Sequence, residues 1–329
     1  MARFLAVRGA SLVLVLLALT LVVFVIQSQV PTDPVAANLG AGASQELVRE
    51  KRAELGYDKP VTTQYWRFLE RLAVGDIGTS LRTRNSVLSD IGTFAPASLE
   101  LAAVAALLIV VMSLALGLWS AAGGRGSGVV RRVMVALASA PTFFLGIMAV
   151  LLFYSWLNWL PASGRSKGDS EQGFVLFSSL LTGDFAGFTG ALRHVILPAL
   201  VVALGPAVAI GRVLRGALLD AMRQDHVRTA RSKGVTEWRV LVAHGLRNSL
   251  TPTLAMAGLQ TGLLLTGVVV VEVVFAWPGL GLYTASSLAG SDFPAVVGVT
   301  LVLGAVYVVV NALVDVLQVV ADPRLRETA

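Results

Sequence analysis

Residues 98–122 read SLELAAVAALLIVVMSLALGLWSAA, with Glu100 as the only charge in the stretch. A helix needs roughly 20 apolar residues to cross about 30 Å of hydrocarbon, and this segment supplies them. Five further runs, at 10–26, 129–156, 195–219, 252–276 and 294–320, repeat the pattern. Over the 329 residues, 55% are hydrophobic and 14% charged, and the mean hydropathy is +0.75. A soluble domain has no interior large enough for that much apolar surface. The expected fold is an all-α integral membrane protein with six transmembrane helices. A secretory signal peptide would resemble the first run, but the run is long for one and five spans follow, so it is read as a retained helix.

Cysteine is absent, which excludes disulfides, thiolate metal sites, cysteine nucleophiles and a lipid-anchored N-terminus. His194, His226 and His244 lack ligand-like spacing, so no metal site is expected. The formal charge of +6 does not imply nucleic acid, because the basic residues cluster between apolar runs. Arg125, Arg131 and Arg132 follow the second run. The segment from Gly211 to Asn248, which begins inside the end of the fourth run, carries Arg212, Arg215, Arg223, Arg228, Arg231, Lys233, Arg239 and Arg247, and residues 277–293 carry no lysine or arginine. The positive-inside rule then places both basic segments and both termini in the cytoplasm, and the 277–293 loop outside.

Residues 45–55 and 63–72 carry apolar side chains at helical spacings between charges, predicting small external helices after the first span. The segment 161–193, rich in glycine and serine, reads as a second outer loop. On the inner side, Asp225 to Lys233 predicts a short helix that breaks at Gly234. Thr236 is a plausible N-cap for a second helix with Trp238, Leu241, Val242 and Gly245 along one face. Such a knob either docks into a partner's groove or lies on headgroups and caps the bundle, and the pattern alone leaves both open. Glu272 lies at the outer end of the fifth run, as a structural hydrogen-bonding or gating carboxylate, with Phe275 beside it. Asn311 and Asp315, one turn apart on the last run, read as helix-joining polar residues.

The knob resembles the cytoplasmic coupling motif of bacterial ATP-binding-cassette import permeases, in which an alanine precedes a glycine by four positions, here Ala230 and Gly234. Its surroundings are similar to the dipeptide, oligopeptide and nickel permease family, with Arg228 standing where the motif's acid usually lies. The similarity continues through Pro31-Thr32-Asp33-Pro34, Leu55-Gly56-Tyr57-Asp58-Lys59-Pro60, Gly75-Asp76-Ile77-Gly78-Thr79-Ser80 and Leu160-Pro161-Ala162-Ser163-Gly164. It extends to His194-Val195-Ile196-Leu197-Pro198-Ala199, the Glu272 to Gly281 segment, 311–315 and Asp322-Pro323-Arg324-Leu325-Arg326.

That resemblance implies a type I importer permease fold in a bacterial cytoplasmic membrane. Its parts would be a first transmembrane helix (1–28), an external helical segment (29–97), a five-helix permease domain (98–322) with its coupling loop at 220–250, and a cytoplasmic tail (323–329). It implies coupling roles for Asp225, Val227, Arg228, Ala230, Lys233, Gly234, Val235 and Trp238. The implied partners are a second homologous permease, two ATPase domains, an extracytoplasmic solute-binding protein and the lipid bilayer. No Gly-x-x-x-x-Gly-Lys-Ser/Thr loop, Gly-x-Ser-x-Gly elbow or His-Glu-x-x-His pair is present, so a non-catalytic chain without its own cofactor is expected, ATP and Mg being bound by partners. The alternative class is an autonomous ion-coupled carrier or channel, for which mid-membrane charges and inverted repeats would be expected. The solute stays open among dipeptides, longer peptides, nickel chelates and glutathione.

Overall fold

The structure is a computed structural model that describes residues 2–29, 44–55, 58–123, 126–165 and 173–321. The Pro31 to Pro34 motif, Gly56, Tyr57, Arg125, the tail from Asp322 and the side chain of His226 lie outside the described residues. The described residues are mainly helical: α1 (Ala2–Gln29), α2 (Gln45–Leu55), α3 (Val61–Ala73), α4 (Val87–Ala121), α5 (Ser127–Ala138), α6 (Thr142–Trp156), α7 (Val175–Thr182), α8 (Phe185–Ala221), α9 (Asp225–Ser232), α10 (Glu237–Val274), α11 (Leu280–Ala289) and α12 (Phe293–Ala321). Among the described residues α1, α4, α8, α10 and α12 are each long and apolar enough to cross a membrane.

The third apolar run is not one straight helix. Its two halves, α5 and α6, meet at 110°. Pro141 sits at the break, where it has no N–H to continue a helical ladder and biases Ala140 away from helical geometry. The third apolar run is therefore a bent pair, which a hydropathy window cannot distinguish from a rod. The segment read as a second outer loop also departs from expectation: Val175–Thr182 is helical, and α8 starts at Phe185 with Asp184 capping it by accepting from the Gly187 N–H at 2.9 Å.

The chain divides into two compact units. The larger comprises Ala95–Leu282 and the chain from Tyr307 onward. Its core joins Leu101, Ala105, Val195, Leu197, Val202, Val271, Phe275 and Trp277. Small residues let its helices approach: a Cβ on Gly211 would lie 3.3 Å from the Ser113 carbonyl oxygen, and one on Gly258 3.2 Å from Val314. Glu100 and Arg165, both buried, form an ion pair here, and Glu100 also accepts from the Phe177 N–H.

The smaller unit comprises Ala6–Phe94 and Tyr283–Val306. Phe24, Tyr65 and Phe68 pack with Val297 and Leu301. Asp90 in the first turn of α4 accepts from the hydroxyls of Thr83 (2.5 Å) and Tyr283 (2.8 Å) and from the Asn85 amide. Tyr283 stacks on Phe94 at 4.9 Å, and burial, with the Asp90 hydrogen bond, pushes its phenol well above the ordinary range. The expected amphipathic helices form as α2 and α3.

Candidate functional site

The knob is built by a helix terminus. At the end of α9 the Val235 N–H donates to the Ala230 carbonyl at 3.2 Å and the Gly234 N–H to the Arg231 carbonyl at 2.9 Å. These are the two bonds of a Schellman motif, which needs a left-handed residue between them, and Gly234 supplies it at φ +78°. The four-residue spacing of Ala230 and Gly234 is thus the geometry of a capped helix end. Ala230 and Val235 are half-buried, Val227 is fully buried, and Asp225, Arg228 and Lys233 are exposed.

Two expectations about the following helix change. Thr236 occupies the N-cap position, but its hydroxyl makes no capping bond. Arg231 instead reaches Glu237 with two nitrogens, at 2.7 and 3.0 Å, joining α9 to the start of α10. The predicted single face also splits. Leu241 and Gly245 are buried, Gly245 against Leu218 and Met222, while Trp238 is 63% exposed and Val242 stands on the open side. A π segment at Leu241–Leu246, whose wider turn departs from the α-helical period, follows directly on Val240. Most consequentially, the second knob helix is not separate: it runs without interruption into the fifth span as the 38-residue α10.

The other end of α10 closes on Glu272. This carboxylate is fully buried and accepts from the Ser98 hydroxyl at 2.6 Å, the Gly281 N–H at 2.5 Å and the Leu282 N–H at 3.3 Å. Gly281 and Leu282 open α11, so the acid meets the free N–H groups and positive dipole of a helix N-terminus. Ser98 accepts in turn from the Leu280 N–H at 2.8 Å, and the Trp277 indole donates to the Ala97 carbonyl at 3.0 Å. The glycines of the turn are required sterically. A Cβ on Gly279 would fall 2.4 Å from the Glu272 carboxylate, and one on Gly281 2.6 Å from Val269 Cα.

Phe275 is buried in the main core beside this turn. Asn311 and Asp315 are half-buried on α12. Asn311 donates to its own helix at Tyr307 and lies opposite Gly258, about 21 Å along α10 from Glu272, so the structure does not gather these polar residues into one site. The Glu100–Arg165 pair and the Asp90–Tyr283 bond escaped sequence reading, because their partners lie 65 and 193 residues apart and no local period marks them.

The sequence that builds this knob and this turn has counterparts among known proteins. The sequence profile of the binding-protein-dependent transport system inner membrane component family matches residues 113–327, and that of the family's N-terminal part matches 1–102. The chain belongs to that family. The permease is 38% identical over 325 residues to the probable D,D-dipeptide transport system permease protein of Escherichia coli K12, covering 97% of this chain and 96% of that one. It is 38% identical over 334 residues to the di/tripeptide transport system permease protein of Pseudomonas aeruginosa, covering 99% of both. Against the dipeptide transport system permease protein of Alkalihalophilus pseudofirmus the identity is 33% over 325 residues, covering 97% and 98%. It is a multi-pass membrane protein with the permease fold, an inner membrane component of a binding-protein-dependent transport system.

Proposed function

We propose that this permease forms half of a translocation pathway for di- or oligopeptides, and that the knob at 220–250 receives the force of ATP hydrolysis from partner subunits. The observation that carries the reading is the knob: a Schellman-closed helix presenting Asp225, Arg228 and Lys233 to solvent, joined by Arg231–Glu237 to a helix whose exposed Trp238 stands beside buried Val240 and Leu241. An exposed tryptophan rimmed by charge is the composition of an interface centre. Near full-length similarity to three peptide permeases supports the substrate class.

In this reading the chain is non-catalytic. Two ATPase subunits bind ATP and Mg, a second permease completes the pathway, and an extracytoplasmic binding protein delivers the peptide. The knob and both termini face the cytoplasm, and the Glu272 turn faces outward. ATP-driven closure of the ATPases displaces the knob and alternates access to the path.

Ala230→Asp tests the reading, because it places a charge that docking must desolvate beside the helix cap. Copurification of the ATPases and binding-protein-stimulated hydrolysis should fall together while membrane insertion persists. Normal values of both would reject the coupling role. For orientation, single cysteines at Ser44 and Gly290 should react with an impermeant thiol reagent outside sealed cells, and those at Ser127 and Ser232 should not. Labelling at Ser232 would reverse the topology.

A further inference from the structure

The bend between α5 and α6 leaves an open-sided cavity of about 400 Å³ in the larger unit, whose other walls come from α8 and α10. That volume lies in the range of small-molecule sites. Irregular backbone such as Ser139–Pro141 is tolerated at membrane depth where it is buried in protein or lines a cavity, and this break lines one. The walls are mostly small or aliphatic, with two polar exceptions of note.

Gln260 lies about 35 Å along α10 from the knob end, and its amide donates only to the Met256 thioether at 3.5 Å, a weak acceptor. A primary amide at mid-span with so poor a partner has donor and acceptor capacity left for a ligand. Arg212, on α8, is the one charged side chain on the cavity wall, and no carboxylate among the described residues pairs with it. Its planar fork matches a carboxylate in two parallel hydrogen bonds. Gly205 completes the wall, and a Cβ there would meet nothing within 4 Å, so its face of α8 looks into open space.

We infer that this cavity is a peptide contact site on the translocation path, where Arg212 takes the C-terminal carboxylate and Gln260 pairs with a backbone amide. The inference rests on the peptide-permease reading and adds to it a selectivity for free over blocked C-termini. The chemistry follows from the groups present: one fixed cation, one amide that both donates and accepts, and aliphatic walls indifferent to side-chain identity.

The test uses the complete transporter in vesicles with its binding protein, supplied with synthetic di- to pentapeptides, half of each sequence as the C-terminal amide. Vesicle contents are read by mass spectrometry and stimulated ATP hydrolysis in parallel. Arg212→Ala should lower uptake of the free acids by roughly tenfold or more, the scale of a charge-assisted hydrogen bond, and draw the acid-to-amide ratio toward one. Arg212→Lys should retain part of the preference, and Gln260→Leu should depress both forms. Gly205→Trp should fill the cavity and abolish uptake while assembly and stimulated hydrolysis continue. Wild-type uptake and ratio in the Arg212 and Gln260 variants would overturn the inference. So would Gly205→Trp losing a partner subunit, since the cavity would then be a subunit seat. Hydrolysis without peptide uptake in the unmodified transporter would instead refute the peptide reading, and no stimulated hydrolysis at all would refute the permease reading.

Discussion

Glu272→Ala removes the acceptor of three donors at once, and its cost follows from their geometry. The Ser98 hydroxyl and the Gly281 N–H sit at 2.6 and 2.5 Å and the Leu282 N–H at 3.3 Å, all around a carboxylate with no exposure. Each buried donor left unpaired costs about 1–3 kcal/mol, the longest bond contributes least, and the hydroxyl can turn, so the loss is about 3–6 kcal/mol. Glu272→Gln keeps an oxygen for the two N–H groups and offers its NH₂ to Ser98. It forfeits the attraction of a full negative charge to the α11 N-terminus, roughly 0.3–1 kcal/mol, with some misfit at Ser98 in addition. For a chain of 329 residues these figures correspond to roughly 4–9 °C in melting temperature for alanine and about 1–2 °C for glutamine. The assay is the temperature at which the detergent-solubilised complex loses its monodisperse chromatographic peak. Equal destabilisation by alanine and glutamine would show that charge, not hydrogen-bond acceptance, holds the turn. A stable Glu272→Gln complex with stimulated hydrolysis but no uptake would assign the acid a direct role in gating.

Three other outcomes are expected. Gly234→Asn, which tolerates the left-handed region, should retain most ATPase copurification, whereas Gly234→Ala pays about 1–2 kcal/mol at that φ and Gly234→Pro also loses the bond to Arg231, so copurification should fall in that order. Glu100→Leu alone should destabilise by about 3–5 kcal/mol by stranding Arg165, and Glu100→Leu with Arg165→Met should recover much of that loss in the same melting assay. Because the folded Tyr283 phenol titrates above its unfolded value near 10, its contribution is complete below that pH and is lost as pH rises beyond it. Tyr283→Phe should therefore flatten the decline in stability on the alkaline side, and an unchanged decline would refute the assignment.

The membrane-spanning character was legible because twenty apolar residues in a row leave few alternatives. What hydropathy cannot see is direction: Val129 to Trp156 reads as one span, while Ser139, Ala140 and Pro141 turn it through 110°. The Pro141 signal was available locally and was outweighed by the apolar average. The knob was legible at Ala230 and Gly234, where short-range helix-end geometry fixes the spacing, and illegible after Thr236, where a π segment breaks the 3.6-residue period. Glu272 could be singled out as an acid in an apolar run, but its partner Ser98 lies 174 residues away and carries no mark of its own. Arg165, in a segment read as loop, was invisible for the same reason.

The continuity of α10 has a mechanical meaning. Thirty-eight residues make a helix of about 57 Å, with Trp238 near one tip, Glu272 near the other, Gln260 between them, and the π segment and Pro252 as its two irregular points. Pivoted near its centre, such a helix swings each tip by about 5 Å for a tilt of 10°, in opposite directions. In the proposed coupling, a push on the knob would reach the Glu272 turn as a displacement in the opposite sense, and the cavity beside Gln260 would sit close to the fulcrum, where displacement is smallest. Under the proposed coupling, one helix would carry an ATPase stroke to the Glu272 turn while the residues beside Gln260 barely move.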